Sequence, residues 1–66
     1  MERMTLKKAR IIAGLTQQEV ADKLGISTPT YRNLERNPER LTLKQAMQLS
    51  EILGQPLDVL FFYASA

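Results

Sequence analysis

Between Thr16 and Gly25 the chain has room for about two turns of helix, roughly 12 Å, and no more. Thr16-Gln17-Gln18-Glu19 has the form of a capping box: the Thr16 hydroxyl can accept from the Glu19 amide while the Glu19 carboxylate accepts from the Thr16 amide. Leu15 and Val20 flank the box as a hydrophobic staple, and Val20, Ala21 and Leu24 form the buried stripe. Gly25 then stops the helix with a residue at home in the left-handed conformation. A chain built this way is an assembly of short helices joined by tight turns.

The remaining punctuation agrees. Leu6, Ala9, Arg10 and Ala13 fall on one helical stripe, with Ile12 nearby, and Gly14 closes that first segment of about Thr5 to Ala13. A third segment starts at Ser27-Thr28-Pro29. Proline suits the first helical turn, but the residue before it avoids helical angles, which favours Thr28 as the N-cap over Ser27 with Thr30 three residues on. This helix runs through Tyr31 and Leu34 to about Arg36, and Asn37-Pro38 ends it. Thr42-Leu43-Lys44-Gln45 repeats the capping-box pattern. Leu43, Ala46, Met47, Ser50 and Leu53, with Leu49 at the stripe's edge, then mark a helix ending at Gly54. Pro56 opens a last short helix with Leu57, Leu60 and Phe61 facing inward. No segment alternates with period two, so the expectation is an all-α fold of five helices forming one domain over residues 1–66.

Composition removes most chemistry. With neither cysteine nor histidine there is no disulfide, thiolate metal site, Cys nucleophile or imidazole base, and no cofactor or metal is expected. Carboxylates such as Glu35 and Asp58 have no visible partner for acid–base work, so an enzyme is not expected. Met1–Arg10 is charged and lacks a signal-peptide core, and the longest apolar run, Val59–Ala64, is far too short to span a bilayer. The reading is a cytoplasmic protein with no membrane partner. The net charge of +2 is a weak signal by itself. What matters for a polyanion is whether the basic residues share a face.

The informative stretch is TQQEVADKLGISTPTYRNL, Thr16 to Leu34. Two short helices flank a tight turn at Gly25. Ala21 sits where the helices cross and lets their backbones approach. Ile26 plugs the turn into the core, and Tyr31 and Leu34 anchor the second helix. This is the layout of a helix-turn-helix, whose second helix is presented to the DNA major groove.

At these residues the sequence resembles the phage-repressor and Cro-type helix-turn-helix family, also called the xenobiotic-response-element type. Gly14-Leu15-Thr16-Gln17-Gln18-Glu19-Val20-Ala21, Gly25-Ile26-Ser27, Leu34-Glu35 and the LGQPLDVLF ending carry the likeness, in order and at the family's spacing. The resemblance implies a compact five-helix, lambda-repressor-like DNA-binding domain. It implies that Gln17 contacts a phosphate from the helix N-terminus, with Gln18 beside it. It also implies that bases are read from the first turn of the second motif helix and one turn on, at Thr28, Pro29, Thr30, Arg32 and Asn33. Asparagine suits adenine, arginine suits guanine, and threonine methyls or proline can touch thymine methyls. Pro29 departs from the polar residues often found there and cannot donate a hydrogen bond. By the same resemblance Arg10, on the buried stripe, pairs with Glu35 and bridges first and third helices.

Lys7, Lys8 and Arg10 lie on the first helix, and Arg32, Arg36 and Arg40 follow the second motif helix. Arg36 and Arg40 are the better phosphate candidates among them. The tail holds more large apolar side chains than a short helix can bury, leaving Val59, Phe62 and Tyr63 as a surface for a second copy. The resulting expectation is a sequence-specific binder of double-stranded DNA, a transcriptional repressor or Cro-like switch acting as a homodimer. A reading from another class keeps the fold but makes it an antitoxin or protein-interaction module, with the tail as the surface for a toxin or co-regulator. A degenerate helix-turn-helix that only dimerises is disfavoured by Gln17, Arg32 and Asn33 sharing one face.

Overall fold

Every α-helix in the computed structural model, which describes residues 5–56, begins at a hydroxyl. The helices are α1 (Leu6–Ile12), α2 (Gln17–Leu24), α3 (Thr28–Arg36) and α4 (Leu43–Leu53), with a short 3-10 turn at Pro38–Arg40. Thr5, Thr16, Ser27 and Thr42 accept hydrogen bonds from the amides of Lys8, Glu19, Thr30 and Gln45 respectively. Both expected capping boxes are closed: the Thr16 amide donates to Glu19 Oε1 at 2.8 Å, and the Thr42 amide to Gln45 Oε1 at 3.0 Å. The bond from the Thr16 amide holds the Glu19 carboxyl below the usual carboxylate range.

The start of α3 corrects the sequence reading. Ser27, and not Thr28, is the N-cap: its hydroxyl accepts from the Thr30 amide at 3.3 Å and donates to Thr30 Oγ1 at 2.7 Å. Thr28 therefore takes the first helical position and Pro29 the second. All of the first four helical amides lack an intrahelical carbonyl, so a missing N–H costs nothing there either.

Gly25 ends α2 at φ 74°, with the Ile26 amide bonded back to the Ala21 carbonyl at 3.0 Å. That bond turns the chain and delivers Ile26 to the core, where it packs with Leu15 and Leu24 around the buried cluster. The cluster itself is Leu6, Ala9, Val20, Ala21, Tyr31, Leu49 and Leu53. Leu34 is buried as well. Helix α2 packs chiefly on α3 and secondarily on α4. Ala21, fully buried, admits that approach because a larger side chain would force the backbones apart.

Two stripes are narrower than the periodicity suggests. Helix α1 stops at Ile12, so Ala13 and Ile12 are exposed, and only Leu6 and Ala9 are buried with Arg10 leaning inward. On α4, Leu43 and Met47 are exposed, whereas Leu49 is fully buried rather than at the edge. The packed face of α4 is centred on Ala46, Leu49 and Leu53, with Ile52 beside them. Among the described residues there are four α-helices and no strand, against the five helices expected. The fifth, opening at Pro56 with Leu57, Leu60 and Phe61, lies outside the described residues. So do Val59, Phe62 and Tyr63. No helix among the described residues is long and apolar enough to cross a membrane.

Gly25 has open space where a Cβ would stand, so a substitution there meets backbone strain and no clash. Gly25→Ala should destabilise the protein by about 1 kcal/mol, the cost of holding an L-residue left-handed. For a domain of this size that lowers Tm by roughly 4–8 °C. Gly25→Asn should fall by less, since asparagine tolerates this conformation. Thermal melts by circular dichroism check the order of the three proteins.

Candidate nucleic-acid interface

Helices α2 and α3, of eight and nine residues, meet across the Gly25 turn, so the N-terminus of α2 and the outer face of α3 present to the same solvent. On α3 the residues opposite buried Tyr31 and Leu34 are Pro29, Arg32, Asn33 and Arg36, all exposed. Thr28 is half-buried on the side of this face nearer Glu35. Thr30 is exposed, but its hydroxyl is engaged by Ser27 within the cap.

Behind that surface runs a chain of polar contacts. Arg10 Nε donates to Glu35 Oε2 at 2.6 Å, and Arg10 Nη1 donates to the Leu15 carbonyl at 3.0 Å. Gln17 Nε2 donates to the other carboxylate oxygen, Glu35 Oε1, at 3.0 Å. Arg32 Nε in turn donates to Gln17 Oε1 at 3.3 Å. The Arg10–Glu35 pair, as the resemblance implied, joins α1 to α3, with side chains only 11% and 6% exposed. It is the one ion pair among the described residues. The contacts through Gln17 were not foreseen. They join residues 15 and 18 positions apart on different helices, a spacing that carries no local signal.

Burial by itself would raise the Glu35 carboxyl. The Arg10 hydrogen bond, the Tyr31 and Gln17 contacts and the Arg10 charge together outweigh it, so the group sits below the usual carboxylate range. The same Glu35 bond, against the opposing effect of burial, pushes the Arg10 guanidinium further above its already high value. The Tyr31 phenol is driven up first by burial and then by the Glu35 carboxylate beside it, so it stays protonated. Although its hydroxyl lies near the pair, it is buried without a hydrogen bond of acceptable geometry.

The other expected positions are distributed as follows. Gln17 is half-buried and Gln18 exposed at the first turn of α2. There, backbone amides lack helical partners and the helix dipole favours an anion. Arg36 ends α3 and Arg40 sits on the 3-10 turn, both exposed. Asn33 Oδ1 accepts a long bond, 3.4 Å, from Asn37 Nδ2. Lys7 of α1, grouped with the basic residues but not among the expected contacts, joins Gln17, Arg32, Glu35 and Arg36 around one surface cleft. Arg10 does not belong to the basic surface, since its charge is spent on Glu35.

Compared with known proteins, residues 6–60 match the family model described as helix-turn-helix. An uncharacterized HTH-type transcriptional regulator of Bacillus subtilis is 44% identical over 55 residues, covering 83% of this chain and 47% of that protein. Another, from Methanocaldococcus jannaschii, is 33% identical over 58 residues, covering 88% of each chain. An SPbeta prophage-derived HTH-type transcriptional regulator of Bacillus subtilis is 42% identical over 55 residues, covering 83% of this chain and 51% of that one. The chain thus spans about half the length of the two Bacillus relatives. No solved structure matches it.

Because removing one partner strands a charge in a nearly closed site, Arg10→Met and Glu35→Leu should each cost about 3–5 kcal/mol. The double variant should be more stable than either, and chemical denaturation of the four proteins measures the difference. Equal stability of both single variants and the native protein would remove the pair from the account of this fold. The depressed Glu35 carboxyl gives a pH signature of the same sign. Its contribution is complete above the unfolded value of about 4.3 and is lost as pH falls through its lower folded value. Acid unfolding should show native protein losing its advantage over Glu35→Gln below about pH 4.

Proposed function

The chain belongs to the helix-turn-helix family, and on that premise we propose that it is a sequence-specific, double-stranded DNA-binding transcriptional regulator acting as a repressor. Its α3, from about Pro29 to Arg36, enters the major groove while the start of α2 rests on the backbone. The observation that carries this reading is the face itself. Pro29, Asn33 and Arg36 stand outward on a helix whose opposite side is locked into the core by Tyr31 and Leu34. A helix held so firmly presents its outer side chains at fixed positions, which base reading requires.

The base-facing set is Thr28, Pro29, Thr30 and Asn33. Asn33 is the strongest discriminator, because its amide can both donate to adenine N7 and accept from N6 once the long Asn37 bond is released. Pro29 contributes contact and exclusion only. Thr30 has its hydroxyl committed to Ser27, so it offers its methyl. Gln17, Gln18, Arg36 and Arg40 set the register on phosphates. The whole is a single domain that works as a homodimer on two half-sites related by symmetry, with Val59, Phe62 and Tyr63 as the pairing surface.

Selection from a random duplex library at near-physiological salt tests this directly. The expected product is an inverted repeat whose half-site spacing approximates a helical turn. Asn33→Ala should then relax one base position in each half-site, at a cost of about 1–3 kcal/mol per site. No enrichment by the folded protein would move the assignment to a protein-interaction module such as an antitoxin.

A further inference from the structure

Resting on the duplex-binding reading, we propose that Arg32 does not read a base: with Gln17, Lys7 and Arg36 it closes a cleft that holds one phosphate of the DNA backbone. The cleft has a volume of about 260 Å³ and lies where α1, α2 and α3 meet. Three of its five lining residues, Lys7, Arg32 and Arg36, are cationic. Its one carboxylate, Glu35, is not free to repel an anion. Arg10 holds one of its oxygens at 2.6 Å and Gln17 holds the other at 3.0 Å. The charge presented to the opening is therefore positive.

The orientation of Arg32 follows from the same chain of bonds. Glu35 accepts from Gln17 Nε2, which turns Gln17 Oε1 the other way, and that oxygen accepts from Arg32 Nε at 3.3 Å. With Nε committed, the guanidinium is drawn from α3 toward the first turn of α2. Its terminal nitrogens still carry four N–H donors, and a phosphate oxygen is the acceptor that a charged fork suits. The Gln17 and Gln18 amides, at the first two positions of α2, lie at that same turn with no helical carbonyl to bond. Around α3 successive residues step by about 100°, so Arg32 flanks the outer face on the Glu35 side while Asn33 flanks it on the other. Reading guanine would draw the guanidinium away from Gln17 toward the centre of that face. A phosphate at the cleft can be met by the terminal nitrogens with the Gln17 bond kept.

The proposal separates cleanly from base reading. Binding of native protein, Arg32→Ala and Arg32→Lys is measured against the selected duplex and a scrambled one over a salt series, and the duplex selection is repeated with Arg32→Ala. Arg32 is exposed, so all three should share one Tm, which circular dichroism verifies. The expected result is a loss of about tenfold or more by Arg32→Ala on both duplexes alike. Its log–log salt slope should be shallower by about 0.9, with Arg32→Lys retaining most of the slope. The selected sequence should not change. Relaxation at one base position with an unaltered salt slope would overturn the assignment, as would an Arg32→Ala protein that binds like the native one. A parallel NMR titration of the Arg32 Nε–H with inorganic phosphate separates the sources. A saturable response there, in a native protein that binds no duplex, would keep the anion cleft, reject DNA as its occupant and locate the failure in the duplex-binding reading.

Discussion

The Arg10–Glu35 pair sets the terms for everything around it. It ties α1 to α3 across a sequence separation of 25 residues. Arg10 also bonds the Leu15 carbonyl, which fixes the turn leading into α2. Two charges withdrawn from water in this way contribute little net stability, because the desolvation cost offsets most of their attraction. What they impose is geometry: neither can move without leaving the other unpaired. Gln17 then takes the remaining Glu35 oxygen, so a side chain at the mouth of the cleft between α2 and α3 inherits its orientation from a contact beneath it.

The helices that carry this arrangement are too short to stand alone in water, since nucleation is costly and few bonds follow it. Hydroxyl caps at every α-helix start and left-handed glycine closes at α2 and α4 define where each one begins and ends. Packing supplies the rest. Tyr31 is the largest of the fully buried side chains, and it brings its hydroxyl into the space next to the ion pair. That side chain anchors α3 directly behind the helix's outer face.

Much of the local structure was legible in the chain. Capping boxes at Thr16 and Thr42 join residues three apart, so the pattern and the structure are nearly the same statement. The start of α3 was misread because two local rules compete at Ser27-Thr28-Pro29. The restriction on the residue before proline argued for a cap at Thr28, and the better-placed Ser27 hydroxyl won. Leu43 and Met47 were misread for another reason. A helical stripe has a width, and which of its edges is buried depends on the helix packed against it.

The candidate site divides along the same line. The residue types at Gln17, Asn33, Arg32 and Arg36, and their placement on two adjoining short helices, follow from periodicity and from the family's motif. Which partner each polar group takes does not. Hydrogen bonds from Gln17 to Glu35 and from Arg32 to Gln17 act between residues on different helices, over distances of about 3 Å that only the packed crossing of those helices creates. By itself the sequence determined where helices start and stop, which residues could form a core, and which chemistry was excluded. Those are matters of neighbours within one turn and of side chains that are present or missing. Only the tertiary structure decided that Glu35 has both oxygens engaged and that Arg32 leans toward α2, because short-range bonds between distant residues exist only after the hydrophobic core has fixed how the helices meet.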